Sequence, residues 1–255
     1  MNKQGVGKIE WTDFSWSPVR GCLRACWYCY GQDLANRFDG GDYEPRFHPE
    51  RLDQPRLVRK PSRIFVCPVA DLFGSWIEDA VIDAVVNVAR DCPQHTFLFL
   101  TKYPGRYKQF VFSANCWLGA SVTGEETAAH LDEINAAMSH NAEVPVHFAS
   151  AEPLLHFVPG SALTWADWII TGALSGPKAK EHVPQREWVW VLSEDCKERG
   201  IPFFTKRSIT MLYPDLACQE WPETDDAYSA AIQRRDWESI EIMDEMAKKK
   251  KDAPQ

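Results

Sequence analysis

Short apolar runs recur along this chain, separated by longer segments with helical periodicity, and this alternation limits the folds open to it. The runs are continuous rather than alternating, which is typical of strands buried on both faces of a parallel sheet. A shorter candidate strand, residues 14–20, precedes them. The apolar runs are residues 63–70, 96–101, 117–122, 146–151, 168–171 and 201–205.

Helical patterns occupy the intervals between these runs. Residues 75–90 carry apolar side chains at helical spacing, and Ser75 followed by Glu78 matches a capping box. Residues 125–140 and 185–199 also have the periodicity of amphipathic helices. Strands that alternate with helices of this length predict an α/β protein with a parallel sheet.

The number of strand–helix units favours a barrel. Six or seven units are present, and Gly200 with Pro202 predicts that the last helix stops before the final strand. We expect a partial TIM-like (β/α)6 barrel. A doubly wound open sheet is the alternative.

Two segments depart from the repeat. Residues 38–62 are rich in Pro, Gly and Arg and predict an insertion loop after the first unit. The barrel domain with this insertion is expected to span residues 1–222. Residues 223–255 predict a C-terminal tail, with a helix at 225–246 and a solvated lysine run at 248–251.

Net charge and the distribution of apolar residues argue against several classes of function. The formal net charge of −8 argues against broad binding to phosphate backbones. No apolar run approaches the roughly 18 residues that span a bilayer. Residues 1–8 are polar and lack the apolar core of a secretory signal. We therefore expect a cytoplasmic protein in a reducing compartment, without a membrane partner.

Three of the eight cysteines are clustered in one short segment. Cys22, Cys26 and Cys29 have the spacing C-x3-C-x2-C, directly after the first candidate strand. Three thiolates in one loop can hold a single metal centre without help from distant parts of the chain. Cubane clusters take four thiolates, so three would leave one iron open to bind a small molecule. The other cysteines are scattered, as buried apolar residues usually are.

Two other interpretations of the cluster stay open. A zinc site would need a fourth ligand, and the first histidine, His48, lies in a Pro-flanked loop. The three cysteines could also be buried by chance, although the short glycine-led loop argues against this.

The spacing, with Tyr28 directly before Cys29, resembles the signature of the radical S-adenosylmethionine (SAM) superfamily. The resemblance implies a [4Fe–4S] cluster on Cys22, Cys26 and Cys29, with SAM bound at the open iron. Reduction of the cluster would then cleave SAM to a 5′-deoxyadenosyl radical. It also implies an external electron donor of the flavodoxin or ferredoxin type.

The wider chain resembles phage-associated radical-SAM-like proteins of unknown function, over roughly residues 9–207. Two positions depart from that pattern: Ser17 stands where these proteins usually have Asn, and Leu174 where they usually have an acidic residue. The matching segments are residues 9–12 (IEWT), 16–22 (WSPVRGC), 29–30 (CY), 71–73 (DLF), 100–102 (LTK), 118–122 (LGASV), 151–155 (AEPLL) and 204–206 (FTK).

Polar residues end several of the predicted strands, and in a β/α barrel these ends build the active site. Asp71 ends the second strand and could bind the SAM ammonium or cap the helix expected from Ser75. Ser121 and Thr123 end the fourth strand, where the superfamily places ribose contacts. Local turn bonding around Gly124 is the alternative for these two hydroxyls.

Further strand-end residues complete the expected site. A carboxylate such as Glu152 is costly if it is buried unpaired, so we expect it to meet the cofactor or a cation. Lys102 and Lys206 could hold an anionic group of the substrate or cofactor, or form ion pairs with Asp71 or Glu152. Tyr28 is expected to cover the adenine, and packing against the first helix is its alternative.

These patterns favour a radical SAM enzyme that abstracts hydrogen from an unidentified substrate. No catalytic acid or base is assigned. A non-catalytic iron–sulfur protein that senses redox state or binds a partner is the first alternative. A zinc-binding nucleic-acid module is the second, and the acidic body counts against it. A nucleic-acid or nucleotide substrate is one class left open, as is the oligomeric state.

Overall fold

Strands and helices alternate along the chain in the computed structural model, which describes residues 1–5, 7–124, 128–176 and 178–224. The predicted tail helix and lysine run lie outside these residues. The strands are β1 (Asn2–Lys3), β2 (Phe14–Trp16), β3 (Val19–Arg20), β4 (Arg46–Phe47), β5 (Arg63–Val66), β6 (Thr96–Thr101), β7 (Cys116–Ser121), β8 (His147–Ala151), β9 (Trp168–Thr171) and β10 (Phe203–Thr205). The helices are α1 (Tyr30–Phe38), α2 (Asp79–Asp91), α3 (Ala128–His140), α4 (Arg186–Arg199) and α5 (Arg207–Thr210).

The main sheet is almost entirely parallel and follows the order of the chain. Its strand order is β1-β2-β5-β6-β7-β8-β9-β10, and every neighbouring pair from β2 onward is parallel. A doubly wound sheet reverses its strand order at a switch point, and this sheet does not. The doubly wound alternative is therefore wrong. No helix in the described part of the chain is long and apolar enough to cross a membrane.

The first predicted strand, residues 14–20, is divided between two sheets. Strand β2 joins the main sheet, whereas β3 pairs antiparallel with β4 in a separate two-stranded sheet. Pro18 stands between them and cannot donate a ladder hydrogen bond. Its carbonyl accepts one from the His48 amide at 2.7 Å. The predicted insertion is thus held against the segment that leads into the cysteines.

Helices α2, α3 and α4 cover one face of the main sheet. Successive side chains of a strand point to opposite faces, so each strand contributes to two separate buried clusters. Val85 of α2, Ile134 of α3 and Leu192 of α4 share one buried cluster with strand residues such as Leu118 and Ile169. The other face carries a second buried cluster rich in aromatic rings. Its members are Trp11, Phe65, Leu98, Trp117, Val146, Phe148, Trp168, Ile170 and Phe204.

The sheet is curved around this second cluster. The Trp11 ring lies 4.6 Å from the Phe65 ring on β5 and 6.2 Å from the Trp168 ring on β9. Four interstrand steps separate these two strands, about 19 Å in a flat sheet. One indole that contacts both strands places Trp11 on the concave face.

Gly119 of β7 makes room within the aromatic cluster. A Cβ atom there would lie 2.4 Å from the Phe148 ring, which is fully buried. Real Cβ contacts are not this short, so the ring occupies the volume that a side chain on β7 would fill.

The predicted capping box at Ser75 is wrong. Helix α2 begins at Asp79, and its N-cap, Glu78, makes no side-chain capping bond. The Arg106 guanidinium instead binds the carbonyls of Gly74 and Ile77 and holds this segment as a turn. The predicted stop at Gly200 is confirmed, since Gly200 ends α4 with a left-handed φ of +66°.

Candidate metal centre at the carboxyl edge of the sheet

Residues 22–29, here called the cysteine loop, begin beside the end of β5. Gly21 bridges to Ala70, and its amide donates to the Val69 carbonyl at 3.1 Å. Gly21 has a φ of +86°, and a Cβ there would lie 2.2 Å from the Glu44 carbonyl oxygen. Glycine is therefore needed where the chain turns into the loop.

The three thiols of this loop share one environment. All three cysteines are outside disulfide bonds and half-buried. Cys29 is the N-cap of α1, and its sulfur accepts a hydrogen bond from the Gln32 amide at 3.3 Å. Burial raises the pKa of Cys22 to about 11, and the charges of Asp71, Cys29 and Cys26 also raise it.

The position of three thiols in one loop does not by itself make a metal-binding site. Across residues 1–5, 7–124, 128–176 and 178–224, no three His, Cys, Asp or Glu side chains converge closely enough to hold a metal ion. The donor types suit an iron–sulfur cluster, because such clusters are held by thiolates. Ligation by Cys22, Cys26 and Cys29 stays a prediction, and it requires their side chains to turn toward a common centre.

The cysteine loop is fastened to the end of β6 by two cationic side chains. Arg24 donates to the Lys102 carbonyl at 3.3 Å, and its guanidinium lies 4.9 Å from the Tyr103 ring centroid. The Lys102 ammonium lies 5.4 Å from the Tyr28 ring centroid. Tyr28 and Lys102, both predicted site residues, are therefore in contact.

A second set of contacts joins the loop to the segment after β9. The Lys178 ammonium donates to the Trp27 carbonyl at 2.9 Å and lies 5.3 Å from the Trp27 ring centroid. The His182 ring packs on the same indole at 4.5 Å. A cavity of about 50 Å³ lies between the two segments, and Leu174 lines it as an apolar residue. Its lining residues are Trp27, Tyr28, Asp33, Leu174, Ser175 and Lys178.

Asp71 is buried, and both of its carboxylate oxygens accept hydrogen bonds within the fold. One carboxylate oxygen accepts from the Thr101 hydroxyl at 2.5 Å and the Phe73 amide at 3.2 Å, and the other accepts from the Lys102 amide at 3.0 Å. Burial raises the pKa of this carboxyl, although these three donors oppose the shift. Asp71 therefore ties the turn after β5 to the end of β6, and it does not cap α2.

Glu152 and Lys206 form an ion pair, one of the partnerships predicted for them. They follow β8 and β10, and Gly172 lies between them after β9. A Cβ atom on Gly172 would lie 3.1 Å from carbon atoms of both side chains. The Lys206 amide also donates to the Thr171 carbonyl at 2.9 Å. The ends of three consecutive strands meet at this pair.

Ser121 is the last residue of β7, and Thr123 lies two residues further on. Both lie on the concave side of the sheet and are buried. The Thr123 carbonyl accepts from the Leu155 amide at 3.0 Å, so part of its role is local bonding. Ser121 stands opposite Ser150 of β8 in the register. The Ser150 hydroxyl is buried and has no hydrogen-bond partner among the described residues, and it was not among the predicted site residues. Its position two residues before Glu152, on the same face, was the available signal.

The predicted residues thus fall into two groups. Tyr28, Asp71 and Lys102 lie with the cysteine loop at the ends of β5 and β6. Glu152 and Lys206 are paired near the ends of β8 and β10, with Ser121 and Thr123 on the strand beside them.

Tyr43 is a further residue that sequence reasoning missed. Its hydroxyl lies 3.8 Å from the Cys29 sulfur, and its carbonyl accepts from the Cys22 amide at 3.0 Å. It belongs to the predicted insertion, and no local pattern connects that segment with the cysteines.

Comparison with known proteins gives one family match and several distant structural likenesses. A family model described as "Protein of unknown function (DUF5131)" matches residues 6–248. No curated protein shows significant similarity to the chain.

The solved structures that resemble the chain include several of spore photoproduct lyase. A mutant with bound AdoMet and dinucleoside spore photoproduct is 13% identical, with a TM-score of 0.47 over 92% of this chain and 72% of that chain. Another mutant is 15% identical, with a TM-score of 0.45 over 93% and 73% of the two chains. At these values the likeness establishes neither a common fold nor a common function.

Proposed function

Since this chain belongs to the DUF5131 family of proteins of unknown function, we propose its function from its own residues: it is a radical SAM enzyme. Cys22, Cys26 and Cys29 would hold a [4Fe–4S] cluster. The enzyme would cleave SAM reductively and abstract hydrogen from a substrate. An external flavodoxin- or ferredoxin-type donor would supply the electron.

The position of the cysteine loop carries this proposal. The loop begins on the Val69 carbonyl after β5, is bonded to the Lys102 carbonyl after β6, and is held by Lys178 after β9. It therefore lies over the carboxyl edge of a parallel sheet, where β/α proteins build their active sites. A structural metal site would have no need of this edge.

The residues present fit such a cluster by their chemistry. When bound, a cluster held by three thiolates offers one open iron at which SAM can bind and receive an electron. The chain supplies the thiols, and the Gln32 amide at the α1 N-terminus already donates to the Cys29 sulfur. The Trp27 and Tyr28 side chains, between the second and third cysteines, would limit access of water.

The fold supports the same proposal. We infer that the curved sheet is a partial β/α barrel, since its strands follow chain order and its helices cover one face. Ser121, Thr123, Glu152 and Tyr28 are the proposed cofactor contacts. Lys102 and Lys206 are the proposed contacts for an anionic group. Asp71 would have to release one of its present hydrogen bonds to join them.

One observation favours a second candidate, a non-catalytic iron–sulfur protein. Both Asp71 oxygens and the Glu152 carboxylate already have partners within the fold. A redox sensor needs the cluster but does not need these groups free for SAM.

Anaerobic reconstitution with iron and sulfide separates the candidates. The wild-type protein should bind about four irons per chain and release 5′-deoxyadenosine when dithionite and SAM are added. Serine variants of Cys22, Cys26 and Cys29 should each lose the cluster absorbance. Cys218→Ser is the matched control, because Cys218 is also half-buried and outside any disulfide but lies beside β10.

The possible results distinguish the enzyme from the sensor, and two of them would exclude both. An intact cluster without 5′-deoxyadenosine release would favour the sensor. Zinc in place of iron, or a cluster retained in all three variants, would overturn both candidates.

A further inference from the structure

Tyr43 contacts both ends of the cysteine loop. Its backbone carbonyl accepts a hydrogen bond from the Cys22 amide at 3.0 Å. Its hydroxyl lies 3.8 Å from the Cys29 sulfur, within hydrogen-bonding distance for a thiol. One residue outside the loop therefore reaches the first and the third cysteine.

Two glycines, Gly21 and Gly31, lie in close contact with Tyr43. A Cβ atom on Gly31 would lie 1.9 Å from the Tyr43 hydroxyl oxygen, and one on Gly21 would lie 2.6 Å from the Tyr43 carbonyl oxygen. Gly21 precedes Cys22, and Gly31 lies two residues after Cys29. Close packing against Tyr43 at both positions leaves no room for any side chain there.

The Tyr43 hydroxyl is anchored to the sheet. It donates to the Val69 carbonyl at 2.9 Å, the same carbonyl that accepts from the Gly21 amide. A hydroxyl that donates to a carbonyl must carry its proton, so this bond identifies the Tyr43 oxygen as a donor.

The direction of the contact with Cys29 depends on the state of the sulfur. The Cys29 thiol donates to the Tyr43 oxygen in the metal-free protein. A sulfur that ligates a metal has no proton to donate, so only the tyrosine hydroxyl can then supply one. That hydroxyl already lies beside the sulfur and can divide its proton between the sulfur and the Val69 carbonyl.

We propose that Tyr43 is the positioning residue of the cysteine loop: its ring and carbonyl set the separation of Cys22 and Cys29, and its hydroxyl donates to the Cys29 sulfur. The second part rests on the proposed function, in which this sulfur is a cluster ligand. Hydrogen bonds to ligating sulfurs raise the reduction potential of iron–sulfur clusters.

The positioning role is tested on the metal-free, full-length protein. Hydrogen exchange of the amides in residues 22–31 should be about tenfold faster in Tyr43→Ala, because the loop loses the ring on which it packs. Tyr43→Phe keeps the ring and should restore most of the protection. Unchanged exchange in Tyr43→Ala would overturn the positioning role. This readout does not depend on a cluster.

The hydrogen-bond role is tested on the reconstituted protein. Tyr43→Phe should retain its iron and have a lower midpoint potential than the wild type, whereas Tyr43→Ala should lose iron. Tyr30→Phe is the matched control, since Tyr30 also adjoins Cys29 but is 58% exposed. Equal potentials in Tyr43→Phe and wild type would overturn the donor role. A wild type that takes up no cluster would instead refute the proposed function, and the exchange result would still decide on positioning.

Discussion

Lys206 forms an ion pair with Glu152 across Gly172, so that one contact joins the segments after β8 and β10 over the strand between them. The two side chains are 18% and 26% exposed, respectively. The pair is therefore shielded from water more than an ordinary surface pair, and its loss should be measurable.

Replacing Lys206 by methionine should destabilise the fold by about 2 kcal/mol, because Glu152 then keeps a poorly hydrated charge without a partner. Urea unfolding of Lys206→Met, Glu152→Gln and the double variant would measure the coupling. Lys197→Met is the control, since the Lys197 side chain is 77% exposed in its pair with Glu194. Additive effects of the two single changes would contradict the ion pair.

Asp71→Asn should change how stability depends on pH. Burial raises the pKa of the folded carboxyl above the ordinary value of 3.8, so folding favours its protonated form. The stability of the wild type relative to Asp71→Asn should therefore fall as pH rises from the ordinary pKa through the raised one, and then level off. Chemical unfolding at intervals between about pH 3 and pH 7 checks this. A relative stability that rises with pH would refute it.

Gly119→Ala should destabilise the protein by about 3 kcal/mol, because the new methyl group meets the buried Phe148 ring and overpacks the aromatic cluster. Gly105→Ala is the control. A Cβ there also collides, but with the carboxylate end of Glu133, a half-exposed side chain that can move aside. Similar thermal shifts for the two variants would show that the cluster has more room than the structure indicates.

Lys178→Ala should loosen the cysteine loop. The change removes both the hydrogen bond to the Trp27 carbonyl and the contact with its ring, together worth about 1 kcal/mol. Tryptic cleavage at Arg24 in the metal-free protein should therefore be about fivefold faster. Lys180→Ala, which removes an exposed lysine two residues away, should cleave at the wild-type rate. Equal rates for both variants would mean that Lys178 does not hold the loop.

Much of the sheet was predictable because its signal is local. The apolar runs at 96–101 and 168–171 coincide with β6 and β9, and the helix predicted at 185–199 differs from α4 by one residue. The start of α2 was not predictable from its capping box. Arg106, some thirty residues further along the chain, binds the carbonyls that a longer helix would have used.

The site was predictable in most of its members and in only one of its pairings. Asp71 and Glu152 could be named because each follows an apolar run. The ion pair of Glu152 with Lys206 is one of the partnerships expected from the sequence. Thr101, which donates to Asp71, had no such signal because it approaches only through the pairing of neighbouring strands. Tyr43 had no signal at all, because the antiparallel pairing of β3 with β4, which are far apart in the sequence, brings its segment to the cysteines.

Trp11 limits what can enter the concave side of the main sheet. Its indole and the rings around it fill the concave side of the sheet on the amino-terminal side of the serines of β7 and β8. If the proposed radical chemistry takes place beside the cysteines, an intermediate formed there would meet these buried rings, and not bulk water, on the side that faces the sheet.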